Sequence, residues 1–270
     1  MYLSDYHFHT RCSSDSPAAL AEQAEAAMAA GAREICVTDH WNLLDQQGNR
    51  LPTVYGWEAP LEQWRELRAR WPGKLELRLG VEVGNGVLDP AAVDASLAIP
   101  ELDFVIGSLH SQSAAAGGRG IFTVAHECTK KEDGVAIIDD YMDMLEELVQ
   151  TDGWDVLGHV IYPLRYIPPE YELDLHPWWD RLAELFRTVI SQGKGIEMNT
   201  SAGTTVEQWR DVLELYRDLG GEVLTLGSDA HRPEAMCAAF PQAVELIREL
   251  GFRWLCVYRR RTPLFCKLDS

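Results

Sequence analysis

Apolar positions along this chain come in two alternating textures. Runs of five to nine residues rich in Val, Ile and Leu, bounded by Gly, Asp or Pro, fall at residues 2–7, 34–38, 75–83, 103–109, 154–158, 195–199 and 222–227. Short continuous runs of this kind predict buried strands. A weaker eighth run, 254–258, is expected outside the main sheet. Between the runs, apolar residues recur at helical spacing in 61–71, 135–150, 177–192 and 205–219. Ser16-Pro17 predicts an N-cap followed by a first-turn proline, and Gly31 the stop of that helix. Pro241 is expected to divide the last helical region in two. Two long connections, 44–60 and 111–134, are candidates for pocket walls or lids.

Strand and helix alternate without a linker, a repeat or a low-complexity tract, which predicts one α/β domain over residues 1–270 built on parallel strands. Seven units point to a distorted seven-stranded relative of the TIM-like (β/α) barrel; an open doubly wound sheet is the alternative. A length of 270 residues suits such a barrel, and 46% hydrophobic against 24% charged residues excludes a disordered chain. The net charge of −18 argues against a surface that wraps long nucleic acid, which needs a basic stripe. It leaves room for a small anionic substrate if bound cations reverse the local sign. Six cysteines without a CxxC pair read as reduced thiols of a cytoplasmic protein. No signal peptide is read in MYLSDYHFH, and no run of about 18 apolar residues predicts a membrane partner.

The histidines change the picture. Of eight, six stand at or just past the C-terminal end of a predicted strand: His7 and His9 in DYHFHTRCSSD, His40 in CVTDH, His110 in VIGSLH, His159 in VLGH and His231 in LGSDAH. Glu82, in GVEVG, ends the third strand in the same way. Parallel barrels carry their chemistry at this end, so residues spread over more than two hundred positions should meet at one mouth. Residues i and i+2 of an extended segment point the same way, so His7/His9 and Asp229/His231 can each offer two ligands. With Glu82, Asp229 and Asp15 they form a nitrogen- and oxygen-rich set that suits Zn, Fe, Mn or Ni rather than Ca or Mg. Each residue also has a plainer use: an acid between glycines can serve a turn, Asp229 can cap a helix, and Asp15 in SSDSP can cap or turn. His126 and His176 do not fit the pattern and are expected on the surface or a lid.

The motifs DYHFHTRCSSD, EICVTDH, GVEVG, DFVIGSLHS, DVLGHV, EMNTSA and GSDAH, in this order, make the sequence resemble the PHP (polymerase and histidinol phosphatase) superfamily, most closely its stand-alone histidinol-phosphatase branch. The resemblance implies two to three divalent transition-metal ions (Zn, Fe or Mn). It places His7, His9, Glu82 and Asp229 on one ion. Glu82 would bridge to a second, held also by His110 and His159. Asp15, His40 and His231 would hold a third. Some members of the family carry histidine where Asp15 stands. Asn199, in EMNTS, is implied as a substrate contact or a residue just behind the ligands.

The resemblance further implies hydrolysis of a small phosphorylated substrate by a metal-bridging hydroxide, with Glu82 and Asp229 central to catalysis. Histidinol phosphate is the favoured substrate, which would place the enzyme in histidine biosynthesis. A phosphodiesterase or nucleotidase acting on short nucleotides is the alternative, and a non-catalytic metal-binding domain a third reading. An amidohydrolase-type barrel would want a lysine at a strand end, and none stands there. Arg165, six residues beyond His159, is expected to bind the phosphate and stabilise its transition state through its planar fork of donors. Its plainer role is an exposed loop arginine. Arg119 and Lys130-Lys131 are weaker candidates for the same task.

Overall fold

Hydrogen-bonded parallel strands form the wall of a barrel in the computed structural model, which describes residues 2–268. The strands are β1 (Ser4–Asp5), β2 (Glu34–Val37), β3 (His40–Asn42), β4 (Glu76–Gly84), β5 (Phe104–Ser108), β6 (Val156–Leu157), β7 (Gly195–Asn199) and β8 (Leu224–Gly227). Seven of them pair in the order β1-β2-β4-β5-β6-β7-β8, and β3 adds onto β4. Backbone bonds from Tyr6 N to Leu226 O (2.9 Å) and from Asp229 N to His7 O (2.7 Å) join β8 back to β1. This is the distorted seven-stranded barrel that the pattern predicts, not the open sheet.

The distortion has a local cause. The expected first strand, 2–7, shrinks to Ser4–Asp5. The buried Asp5 carboxylate takes the backbone N–H of His7 (3.3 Å) and of Ser228 (3.0 Å), so a side chain replaces the ladder there. β3 was not expected: it is three residues long, and its alternation is too short to read.

The helices that cover the wall are α1 (Leu20–Ala29), α2 (Glu58–Leu67), α3 (Pro90–Ser96), α4 (Ile121–His126), α5 (Lys131–Leu148), α6 (Trp179–Ser191), α7 (Arg210–Asp218) and α8 (Phe240–Glu249). Gly31 does sit at φ +90° after α1, as a helix stop needs. Ser16 does not cap α1, which begins at Leu20; its hydroxyl instead donates to the carbonyls of His231 (2.9 Å) and His9 (3.2 Å). Pro241 lies in the first turn of α8, behind a separate short turn at Pro233–Ala235. The connection 111–134 is less open than expected, since it holds α4 and the start of α5.

Along β4 the two faces part company. Leu77, Leu79, Val81 and Val83 join the main core against the helices. Gly80, Glu82 and Gly84 alternate with them and face the barrel interior. The lower interior is a second apolar cluster of Tyr6, Cys36, Phe104, Ile106 and Val156. It is closed from below by a hairpin of β9 (Trp254–Arg259) and β10 (Thr262–Lys267), which supplies Val257 and Tyr258. The expected eighth run is β9, outside the barrel wall. Its turn residues Arg260 and Arg261 have φ of 48° and 63°, the left-handed geometry of a two-residue hairpin. Their N–H groups are taken by Asp103, at Oδ1 (3.0 Å) and at the carbonyl (2.9 Å). No helix among the described residues is long and apolar enough to cross a membrane.

Candidate metal centre

The strand ends deliver their polar residues to one small volume at the top of the barrel. Glu82, at the inward face of β4, is the hub. Its Oε1 lies 2.9 Å from His159 Nε2, 3.1 Å from His110 Nε2 and 3.4 Å from His7 Nε2. Its Oε2 lies 2.6 Å from His40 Nδ1 and 3.7 Å from His9 Nε2. Asp229 Oδ1 is 3.2 Å from His9 Nε2 and 3.5 Å from His7 Nε2. Further out, Asp15 Oδ2 stands 3.3 Å from His40 Nε2 and 3.5 Å from His231 Nε2. All nine expected ligands therefore meet. They are buried except at the outer edge, where the Asp15 side chain is 53% exposed.

These contacts have the character of ligand edges. His7 Nε2 and His9 Nε2 are 3.1 Å apart, and His110 Nε2 and His159 Nε2 are 3.3 Å apart. His40 Nδ1 and Glu82 Oε2 approach to 2.6 Å, yet neither has a hydrogen-bond partner. Lone pairs aimed at one another repel unless a cation lies between them. Around a tetrahedral ion with ligands at about 2.0–2.2 Å, neighbouring ligand atoms are about 3.3–3.6 Å apart; the contacts here run from 2.6 to 3.7 Å and straddle that spacing. Several triads bring one ligand atom each close together, among them His7/His9/Glu82, His7/His159/Asp229, His40/Glu82/His110 and His9/His40/His231. The residues present fit more than one divalent ion. Burial works against charge on Glu82, but His110, His7 and His40 hold its carboxyl well below the usual range. Burial likewise opposes charge on Asp229, while His7, His9 and Arg165 keep its carboxyl low. Both acids therefore stay in the ionised form that ligation requires.

The model of the PHP domain family matches residues 5–201, which carry seven of these nine residues. The chain belongs to the PHP domain family. This PHP domain is similar to a histidinol-phosphatase of Lactococcus lactis, 26% identical over 262 residues that cover 94% of this chain and 93% of the relative. It is also similar to a probable histidinol-phosphatase of Deinococcus radiodurans, 28% identical over 279 residues that cover 96% and 98%. Among solved structures, that of histidinol phosphate phosphatase from Lactococcus lactis, complexed with Zn, L-histidinol and phosphate, superposes with a TM-score of 0.81 at 24% identity, covering 97% of this chain and 98% of the other. A putative histidinol phosphatase from Listeria monocytogenes gives 0.69 at 14% identity, covering 89% and 99%.

Behind the candidate ligands of this PHP domain lies a second layer that the strand-end argument did not find. His7 Nδ1 meets Glu197 Oε1 at 2.6 Å. Ser13 Oγ lies 3.2 Å from His9 Nδ1 and donates to Asp39 Oδ1 (2.8 Å). His110 Nδ1 meets Asn42 Oδ1 at 2.8 Å. Gly84 makes room for that last contact, because a Cβ there would overlap Asn42 Oδ1. The glycine in GVEVG is thus a requirement of the site. Two of the candidate ligands, His159 (φ 24°) and Asp229 (φ 57°), hold left-handed backbone, which costs a non-glycine residue energy and is common where side chains must be aimed.

Arg165 is no solvated loop residue. Its side chain is 4% exposed, lies 5.4 Å above the Tyr162 ring and donates from Nη1 to Asp229 Oδ2 (2.9 Å). Its Nε and Nη2 are buried with no partner. Asn199 is fully buried; its amide donates to Glu197 Oε2 (3.1 Å) and lies 3.3 Å from Asp229 Oδ2, behind the ligands and away from the cavity. Arg119 is exposed and doubly bonded to Glu127 at 2.8 and 2.7 Å, and Lys130 and Lys131 are exposed where α5 begins. His176 stacks on Trp179 at the surface. His126 packs with Phe122 and Tyr166. A cavity of about 110 Å³ opens over the cluster, lined by Asp15, His40, Gln46, Tyr162, Tyr166 and His231 among others. Gln46, of the connection 44–60, walls it, and Gly120 N donates to Gln46 O (3.1 Å), tying the connection 111–134 to that wall.

Proposed function

We propose that this PHP domain is a metal-dependent phosphomonoesterase, and that its substrate is histidinol phosphate, hydrolysed to histidinol and phosphate. The observation that carries the reading is a cation-requiring cluster under one small cavity, with a buried arginine held on its Asp229 that still has two donor nitrogens to give. Histidinol phosphate is favoured because relatives matched over nearly the whole chain bear that activity in their names, and because the related Lactococcus lactis structure holds Zn, L-histidinol and phosphate.

His7, His9, Glu82 and Asp229 would hold one ion, Glu82, His110 and His159 a second, and Asp15, His40 and His231 a third. When bound, such ions activate water for attack at neutral pH and offset charge on the phosphoryl oxygens. The chain's own residues do the rest. Arg165 Nε and Nη2 donate to phosphoryl oxygens, while Nη1 stays on Asp229 and fixes the fork. Glu82, touching five imidazoles, keeps the ligands of adjoining ions in register. Tyr162 and Tyr166 (ring centroids 5.1 Å apart), followed by Phe122 (5.1 Å from Tyr166), form an aromatic wall leading out of the cavity. The flat imidazole ring of a histidinol leaving group packs on such a wall. The small cavity and the charge of −18 disfavour a polynucleotide. Six free cysteines and the absence of an apolar membrane helix among the described residues fit a cytoplasmic enzyme.

The test is phosphate release by metal-replete protein from histidinol phosphate, a set of nucleotides and a phosphodiester. The expected result is a kcat/KM for histidinol phosphate well above the rest. Faster turnover of a nucleotide or the diester would reassign the substrate, and no turnover of any would leave a binding domain.

A further inference from the structure

Glu197 is a carboxylate in the middle of a buried strand, 1% exposed, without a lysine or arginine partner among the described residues. Its oxygens face donors on three sides. Oε1 meets His7 Nδ1 at 2.6 Å. Oε2 accepts the backbone N–H of His159 at 3.0 Å and the Asn199 amide at 3.1 Å. The site is built for it: a Cβ at Gly227 would overlap Glu197 Oε1, so only glycine on β8 admits the carboxylate.

We propose that Glu197 is a positioning residue that aims ligands of two adjoining metal positions at once; this rests on reading His7 and His159 as metal ligands. Towards His7 it selects a tautomer. A carboxylate only accepts, so His7 carries its proton on Nδ1 and leaves the Nε2 lone pair free toward His9, Glu82 and Asp229. Towards His159 it holds the backbone. The residue sits at φ 24°, and the N–H bond to Oε2 is what ties that strained peptide to the wall. The Nε2 of His159 can then reach Glu82 Oε1 at 2.9 Å.

Glutamine at 197 keeps the shape but cannot do both jobs. With its NH2 toward His7, the imidazole must turn its Nδ1 lone pair inward, which moves the proton to Nε2 and blocks ligation. With the NH2 toward His159, it faces two donors and the left-handed turn loses its tether. Loss of such a partner behind a ligand typically costs about 10–100-fold in metal affinity.

The experiment is titration of the apoprotein with Zn²⁺ against a chromophoric chelator, for wild type, Glu197→Gln and Glu197→Asp, with thermal unfolding of each apoprotein as a check on folding. The expected result is two to three ions in wild type. In Glu197→Gln, two positions should weaken by about 10–100-fold while the remaining one, served by Asp15, is unchanged, and Glu197→Asp should fall between. Wild-type affinity at all positions in a folded Glu197→Gln protein overturns the proposal. Failure of wild type itself to bind ions overturns the reading of the centre instead. If Glu197→Gln does not fold, ¹⁵N-histidine spectra of Zn-loaded wild type decide: a proton on His7 Nδ1, assigned by its loss in His7→Gln, supports the proposal, and an unprotonated Nδ1 overturns it.

Discussion

The two ends of the barrel both bury carboxylates, and they treat them in opposite ways. At the bottom, the fully buried Glu34 is gripped by Arg259 through two bonds of 2.6 and 2.5 Å and accepts the Tyr2 hydroxyl (2.8 Å) and that of Tyr6. Asp155 is paired with Arg261 Nε (2.5 Å). The chain supplies its own counter-charge there, from the hairpin that closes the floor. At the top, Glu82 and Asp229 make seven contacts with imidazole nitrogens within 3.7 Å, and Arg165 on Asp229 is the one guanidinium among the described residues paired with either. Of ten buried side-chain polar atoms without a hydrogen-bond partner among the described residues, five belong to His40, Glu82, His159 and Arg165. A native interior rarely leaves polar atoms unpaired without a reason. At the bottom Glu34 and Asp155 each have a guanidinium partner and Arg78 Nε alone of that group lacks a hydrogen bond among the described residues, whereas the top is complete only with cations for the imidazoles and an anion for Arg165.

The sharpest way to break this contrast is to take the cations away. Dialysis against a chelator is expected to abolish phosphate release, and Zn²⁺ or Mn²⁺ to restore it, while far-ultraviolet circular dichroism stays unchanged because the floor and walls need no ion. Ions present at about 100 times their dissociation constant stabilise by about 2.7 kcal/mol, so the melting temperature should fall on chelation. Full activity after exhaustive chelation, with metal content confirmed below about half an ion per chain by elemental analysis, would sink the assignment.

Within the top, the inner and outer ligands should separate. Glu82 touches five imidazoles and is buried, whereas Asp15 touches two and is half exposed. Glu82→Gln is expected to lower kcat/KM by at least about tenfold more than Asp15→Ala, in line with the losses that follow when metal sites are disturbed. Elemental analysis should show two positions disturbed in the first variant and one in the second. Equal losses would mean that the outer residues share the reacting ions.

Much of the top was legible in the sequence because its signal is chemical and repeats: a histidine or an acid recurs where an apolar run ends, and parallel barrels bring those ends together. Of the second layer only Asn199 was, and that through the resemblance. Glu197 hides inside GIEMN, a run that reads as a buried strand, and its partners His7 and His159 are 190 and 38 residues away. A charge inside such a run was the available clue. The floor was equally opaque, since Glu34 and Arg259 are 225 residues apart, and although Glu34 opens EICVTDH nothing in that motif names its partner. Helix α1 starts late for a related reason: Ser16 looks like a cap by local rules, but its hydroxyl is used to fasten the carbonyls of His9 and His231. Local propensity gave way where the site needed the group.

Arg165 tests the anion side of the top. Arg165→Ala removes the two unpaired donors and the Nη1 bond to Asp229. Loss of one preorganised donor of this kind typically costs about 10²–10³ in turnover. Arg165→Lys keeps the charge but not the fork, so it should recover only part of the loss. Inorganic phosphate should also inhibit Arg165→Ala more weakly than wild type. An alanine variant within about twofold of wild type in kcat/KM, with its metals intact, leaves Arg165 as a prop for Asp229.

The smallest effect on activity belongs to the floor, where the effect on stability should be large. Arg259→Met keeps an unbranched apolar stem and leaves Glu34 buried with only hydroxyls and a distant Arg78 Nε (3.7 Å). Breaking a buried pair from one side costs about 3–5 kcal/mol. Arg259 is 32% exposed, so water can replace part of its charge and the lower end, about 3 kcal/mol, is expected. For a chain of this length that corresponds to a fall in melting temperature of roughly 6–12 °C. Changing both partners, Glu34→Leu with Arg259→Met, should recover part of it, because a buried ion pair can give way to apolar packing at little net cost. Recovery stays partial, since the Tyr2 and Tyr6 hydroxyls lose their acceptor. Throughout, kcat at 25 °C should remain within about twofold, as no ligand moves when a pair at the other end of the barrel is exchanged. The top allows no such exchange: replacing Glu82 and His159 together by apolar residues would remove ligands that no packing can substitute. A floor variant that lost metal along with stability would show that the two ends are coupled through the barrel wall, and the contrast between a self-sufficient floor and an ion-dependent mouth would fail.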